Sequence, residues 1–294
     1  AMHMAIAIRS KGKLLPFLKL LDTELKKKSK EFNKIIKVGR THLQDATPIR
    51  LGQEFLGYEG QINNGIIRAT KAIEELSILA LGGTAVGTGI GMHPQFAKKV
   101  ISYLKAETNI NFSETENHFQ SQSTIDNCVS ASGEIKTIAV SLMKIANDIR
   151  WLGSGPRAGI GEISLPEVQP GSSIMPGKVN PVIAESVTKV CALVIGNDAT
   201  ISIAGQSGNF ELNVMMPVAA HNLLESIDLL AKVSENFSVQ CIDGLKSTDT
   251  GPKMVMNGLA ICTALAPIIG YDKAAKIAHE ASETGESIKE TSLR

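Results

Sequence analysis

Aromatic residues are scarce in this sequence, at 4% of 294 residues, with Trp151 as its one tryptophan. That excludes an aromatic-rich β-sandwich and favours helices packed through Ala, Ile, Leu, Val and Met. Net charge is nearly absent as well: 30 basic side chains against 29 acidic ones leave +1. No global field draws the chain to nucleic acid or to anionic lipid, so neither is expected as a partner. The four cysteines, Cys128, Cys191, Cys241 and Cys262, form no CxxC pair. Free buried thiols in a reducing compartment are expected. No apolar run reaches the ~18 residues of a membrane span. The six histidines show no HExxH or Cys/His spacing, so no metal site is expected. Disorder is excluded by 43% hydrophobic and only 20% charged residues.

What is present is helical periodicity. Leu14, Leu18, Leu21 and Leu25 recur at spacings of 4, 3 and 4. Phe55, Ile62, Ile66, Ala69, Ile73 and Leu76 form a second stripe, and Ile135, Ile138, Leu142, Ile145, Ile149 and Leu152 a third. Such one-sided stripes mark an all-α chain built as a long antiparallel helical bundle. A helix from about 51 to 79 would span ~40 Å at 1.5 Å per residue. Another is expected from about 121 to 152. Helices of this length overhang a monomer of this size, so a shared helical core in an oligomer is expected. The lysine-rich stretch 19–30 reads as the solvated face of the first helix. A weak alternation over 160–168 marks a short extended segment.

Gly and Pro interrupt the helices at 39–48, 82–94, 153–181 and 243–252. The last break divides a central bundle domain, 1–245, from a smaller helical domain, 246–294. The glycine-rich 82–91 lacks the Lys-Ser/Thr and preceding strand of a phosphate loop, so it reads as a close-packed helix connection, and no cofactor is expected. A connection of about 29 residues, 153–181, is unusual inside an all-helical protein and points to function. Its centre, Gly171 to Pro181, carries Ser172, Ser173, Lys178 and Asn180. An ammonium and a carboxamide two residues apart suit a carboxylate ligand. Turn hydrogen bonds for the serines and a helix cap for Asn180 account for the pattern equally well. A second cluster gathers Thr41, His42, Gln44 and Asp45. A carboxylate beside an imidazole can fix its tautomer for acid–base work, although a surface histidine is the commoner case.

The segment GSSIMPGKVNP, 171–181, resembles the signature loop of the fumarase/aspartase superfamily. GRTHLQDATP (39–48), GGTAVGTG (82–89), SGPRAGIGEIS (154–164), SGNFELN (207–213) and IGYDKAA (269–275) are similar to class II fumarate hydratase in order and approximate spacing. The resemblance implies an all-α homotetramer with a twenty-helix core and active sites shared between subunits. It implies a metal-free, reversible anti addition of water to fumarate, giving L-malate, in the cytoplasm, or in the mitochondrial matrix of a eukaryote. It assigns Ser172 as the base for the carbon proton and His42 as the group that handles the water. Thr41, Ser173, Lys178 and Asn180 become substrate-binding residues, supported by Glu185, Gln44 and Asp45, with Glu185 the carboxylate partner of His42. His42 and Gly177 stand where aspartases typically carry Gln and Ala. Aspartate ammonia-lyase of the same superfamily and a catalytically incomplete helical assembly protein are the alternatives. The resemblance further implies that the family's N-terminal domain and its extreme C-terminus are missing. Departures from the family pattern are Gly91 where Asn is usual, and Asn117-His118-Phe119-Gln120 where Asn-Lys-Phe-Glu is usual.

Overall fold

The structure is a computed structural model and describes residues 1–171 and 173–294. In chain order the helices and strands are α1 (Met2–Arg9), α2 (Leu15–Glu31), β1 (Ile36–Thr41), β2 (Gln44–Arg50), α3 (Leu51–Glu75), β3 (Ile78–Leu79), α4 (Phe96–Thr108), β4 (Ser113–Glu114), α5 (His118–Ser123), α6 (Asp126–Leu152), β5 (Ile163–Ser164), α7 (Val182–Gly205), α8 (Met216–Phe237), β6 (Lys246–Ser247), α9 (Thr250–Asn257), α10 (Ala266–Ile269), α11 (Tyr271–Thr284) and α12 (Ile288–Ser292). Helices dominate, as the periodicity predicts. The stripe residues Leu14, Leu18, Leu21 and Leu25 are fully buried, as are Ile62, Ala69, Leu142, Ile145 and Ile149. Burying a leucine or isoleucine side chain contributes about 1.5–3 kcal/mol, so these stripes supply the main folding drive. All four thiols are buried and free. Burial pushes Cys128, Cys191 and Cys241 up to about 12.

The chain divides into two compact units. The first comprises Ala1–Thr23, Gly60–Asn147 and Val182–Val239. Here α7 packs along α8. Gly65 of α3 lies against Ile138 of α6, where an added Cβ would find its side chain at 3.5 Å. Contrary to the sequence expectation that no segment reaches a membrane span, α7 is apolar and long enough to cross a membrane by length and composition. Its polar residues nonetheless serve a protein core. Buried Asp198 accepts hydrogen bonds from Ser132 (2.7 Å) and Lys136 (2.6 Å) of α6. Asn197 donates to Glu225 (3.0 Å) and Ser226 (3.1 Å) of α8. Each satisfied group avoids a desolvation cost of about 1–3 kcal/mol.

The second unit comprises Glu24–Glu59, Asp148–Pro181 and Gln240–Arg294. Phe32, Phe55 and Tyr58 stack edge-on at its centre, with ring centroids 5.2 and 5.4 Å apart. β5 pairs with β6, which accounts for the weak alternation near residue 163. The C-terminal helices close over Cys262, Ala281 and Ile288.

Three further sequence expectations are corrected. The helix expected over 121–152 begins at Asp126, after the separate turn-and-a-half of α5. Lys28 is not a solvated residue. It falls on the Leu14–Leu25 stripe, is buried, and donates to Glu31 and to the Leu245 carbonyl while its ammonium sits 5.4 Å from the Phe32 ring. Residues 39–48 are not an irregular connection but most of an antiparallel hairpin, β1–β2. Gly39 is indispensable to it: a Cβ there would lie 2.5 Å from the Thr47 carbonyl oxygen. Gly39→Ala should therefore cost about 2–4 kcal/mol, read as a shift in urea midpoint.

Candidate active site

The hairpin carries four of the candidate residues at its tip. Thr41 pairs with Gln44, leaving His42 and Leu43 as a two-residue turn. Both have positive φ, 57° and 59°, the sign pattern of a type I′ turn. Asn-Gly would be the relaxed choice there. Histidine tolerates this region fairly well, but a leucine does not, and the strain is of the order of 1–2 kcal/mol. Thr41, His42, Gln44 and Asp45 are all exposed. The hairpin thus gathers a hydroxyl, an imidazole, an amide and a carboxylate on one protruding turn.

Beneath that turn lies a buried ionic cluster that spacing did not reveal. The Lys37 ammonium, 1% exposed, donates to Glu54 (2.8 Å) and to the Val38 carbonyl (2.9 Å), and lies 3.2 Å from Glu162 Oε2. Arg40 Nη2 donates to Glu162 Oε1 at 2.9 Å. Tyr58 Oη donates to Asp148 at 3.0 Å. Burial lifts the Glu54 carboxyl above its ordinary 4.5, Lys37 opposes the rise, and Glu162 and Asp148 add to it. A carboxyl that holds its proton more tightly in the folded state loses stability on ionising. That loss is absent below the ordinary carboxylate range and complete above the raised folded value. Glu54→Gln removes it. The variant's stability relative to wild type should improve as pH climbs from 4 to 8, as followed by urea unfolding; a difference constant across that range would disprove the burial effect.

The second set of candidates lies on the long connection of the same unit. Its start is knotted around Ser154, whose Oγ donates to the Trp151 carbonyl and accepts from Ile160 N–H, while Gly161 N–H donates to the Ser154 carbonyl. Its centre folds back on itself. Gly171 approaches Lys178 so closely that a Cβ would lie 2.7 Å from the Lys178 carbonyl oxygen, and Lys178 N–H donates to Met175 at 3.2 Å. Gly177, with φ +79°, makes the turn. Ser173, Lys178 and Asn180 are exposed. Ser172 lies outside the described residues. Glu185 is half-buried in the first turn of α7, in the first unit.

Among the described residues, no hydrogen bond or ion pair joins His42 to Asp45, or the hairpin tip to Lys178 or Asn180. The structure brings each set together internally: Thr41, His42, Gln44 and Asp45 on the turn, and Ser173, Lys178 and Asn180 on the folded-back loop. Sequence reasoning missed Lys37, Glu54 and Glu162. The available signal was a lysine inside the apolar segment Ile35–Val38.

The exposed turn thus offers an imidazole, and the folded-back loop an ammonium with a carboxamide. The family described as lyase matches residues 1–196, and the fumarase C C-terminus family matches residues 261–294. The chain belongs to this lyase family. It is 50% identical to fumarate hydratase class II of Methylorubrum extorquens, over 100% of this chain and 62% of that one. It is also 50% identical to the mitochondrial fumarate hydratase of Rhizopus oryzae, over 100% of this chain and 60% of that one. The class II fumarase of Schistosoma mansoni superposes with a TM-score of 0.96 at 37% identity, covering 99% of this chain and 64% of the other. A fumarate lyase:delta crystallin from Brucella melitensis gives 0.95 at 40% identity, with the same coverage. The chain therefore spans about three-fifths of the length of the curated relatives it matches.

Proposed function

We propose that the protein is a fumarate hydratase, adding water reversibly and anti to fumarate to give L-malate. The observation that carries this is the 50% identity to fumarate hydratases over the whole chain, with the loop 171–181 and the His42 turn intact. In the malate-to-fumarate direction, a proton leaves the carbon next to a carboxylate and an aci-carboxylate dianion forms. Such an intermediate needs cations and hydrogen-bond donors aimed at its oxygens. Lys178 supplies the charge, Asn180 and Ser173 the directional donors. Ser172 takes the carbon proton. A serine is a weak base, so its alkoxide draws on Lys178 and on loop N–H groups for stabilisation. His42, with Thr41 beside it, handles the departing water. Gln44 and Asp45 support the turn, and Glu185 serves as the carboxylate partner of His42 in the assembled protein.

The assembly we propose is a homotetramer with a twenty-helix core and shared active sites. α3, α6, α7 and α8 run for 25, 27, 24 and 22 residues. Val140 on α6 and Leu193 and Ile203 on α7 remain about half exposed, which suits burial against further copies. A small helical domain from residue 246 and a compartment that is cytoplasmic, or mitochondrial in a eukaryote, belong to the same reading. The deciding assay is L-malate dehydration, followed by fumarate absorbance, set against aspartate deamination. Dehydration without deamination is expected. Deamination alone would assign the ammonia-lyase reaction, and neither activity in the full-length tetramer would leave a structural protein.

A further inference from the structure

We infer that Glu162 is a positioning residue that couples the two candidate catalytic segments, and the inference rests on the hydratase reading above. Its carboxylate holds the hairpin that presents Thr41 and His42. Its backbone holds the root of the connection that carries Lys178 and Asn180.

Strand geometry explains why the hairpin needs such a grip. Side chains alternate along a strand, so residues 37 and 40 would normally face opposite sides. The β1–β2 register shifts between Val38 and Arg40, where Gly39 alone stands opposite Ala46 and Thr47, so the extra residue belongs to β2. A bulge of this kind bends the strand that carries it and raises the local twist of the hairpin. Lys37 and Arg40 nonetheless meet the same carboxylate: Arg40 Nη2 at 2.9 Å from Oε1 and Lys37 Nζ at 3.2 Å from Oε2. Two residues after Arg40 the chain enters the strained His42-Leu43 turn. A one-residue slip would turn every hairpin side chain to the other face. The two-point hold on either side of the bulge prevents that slip.

Glu162 is suited to the task because nothing else about it is free to move. Its N–H donates to the Leu152 carbonyl (2.8 Å) at the end of α6, and its carbonyl accepts from Thr248 N–H (3.0 Å). Thr248 Oγ1 donates to Gly161 next door, and β5 pairs with β6 immediately after. Gly251 in the first turn of α9 closes over the pair, where a Cβ would lie 3.2 Å from Lys37 Cβ and 3.7 Å from Glu162 Cγ. The side chain is 1% exposed and offers no open face to a substrate. Its influence on turnover therefore passes through the hairpin. A catalytic group displaced by about 1 Å costs on the order of 10² in rate.

The test uses the full-length assembled protein, with steady-state kinetics on L-malate and amide hydrogen exchange of residues 36–50. Glu162→Gln, which keeps size but weakens both contacts, should lower kcat about 10-fold or more with KM within about threefold. Exchange across the hairpin should quicken about 10-fold while α7 and α8 stay unchanged. Glu162→Asp should recover part of both. Combining Glu162→Gln with Arg40→Gln should cost no more than the worse single change, because both act through one contact. Unchanged exchange and unchanged kinetics in Glu162→Gln would overturn the inference, as would a loss of rate with an unmoved hairpin. Should Glu162→Gln not fold, Arg40→Gln, which spares the Lys37 contact, must show the same faster exchange, and its absence overturns the inference. A wild-type protein that turns over neither malate nor fumarate would defeat the hydratase reading, yet the exchange comparison would still decide whether Glu162 holds the hairpin.

Discussion

His42→Asn is expected to lower kcat for malate dehydration by about 10²–10⁴ while leaving the unfolding transition in place, the usual range for loss of a general acid–base group. The choice of asparagine matters. His42 sits at φ 57°, in the left-handed region. Apart from glycine, asparagine occupies that region more readily than other residues, so the turn keeps its shape. Alanine would add backbone strain to the chemical loss and blur the result. Because His42 is exposed, no core contact is given up. Ser172→Ala should bring a comparable fall of about 10² or more, since it removes the proposed carbon base. Kinetics with both variants, beside thermal unfolding, provide the check. A His42→Asn enzyme within threefold of wild-type kcat would remove His42 from the mechanism.

Lys37→Met should destabilise the protein by about 3–5 kcal/mol, the range for stripping one partner from a buried ion pair. Methionine fills similar space, so the loss reflects charge rather than a cavity. It leaves Glu54 and Glu162 facing one another without the ammonium that lies 2.8 and 3.2 Å from them. Adding Glu54→Gln should recover part of the loss, because Glu162 keeps Arg40 while the carboxylate left without a cation is then neutral. Urea unfolding of the single and double variants measures both effects. A Lys37→Met protein within 1 kcal/mol of wild type would mean that water reaches the cluster.

The helices were legible because burial enforces a period near 3.6. Leu14, Leu18, Leu21 and Leu25 are spaced by that rule and are all fully buried. Lys28 obeys the same rule, and charge alone made it look solvated. The hairpin was illegible for three reasons. β1 buries Lys37 beside Val38, so polarity and burial no longer coincide. β2 is mostly exposed and contains Pro48, which argues against a strand. Its turn reads His-Leu rather than Asn-Gly, so the strongest hairpin signal is missing. Lys178 and Asn180 stand within three residues of one another, so local spacing alone singles them out as candidates. The Arg40–Glu162 contact spans 122 residues of sequence, and no local pattern encodes such a pairing.

One consequence of α7 concerns the order of synthesis. A ribosome making this chain releases a 24-residue segment that by length and composition passes for a membrane span. The groups that hold Asp198 inside the packed core, Ser132 and Lys136, lie more than 60 residues upstream. They have already emerged when Asp198 appears. The helix thus meets its polar partners on arrival, whereas Glu225 and Ser226, which receive Asn197, follow later and complete the packing from the other side.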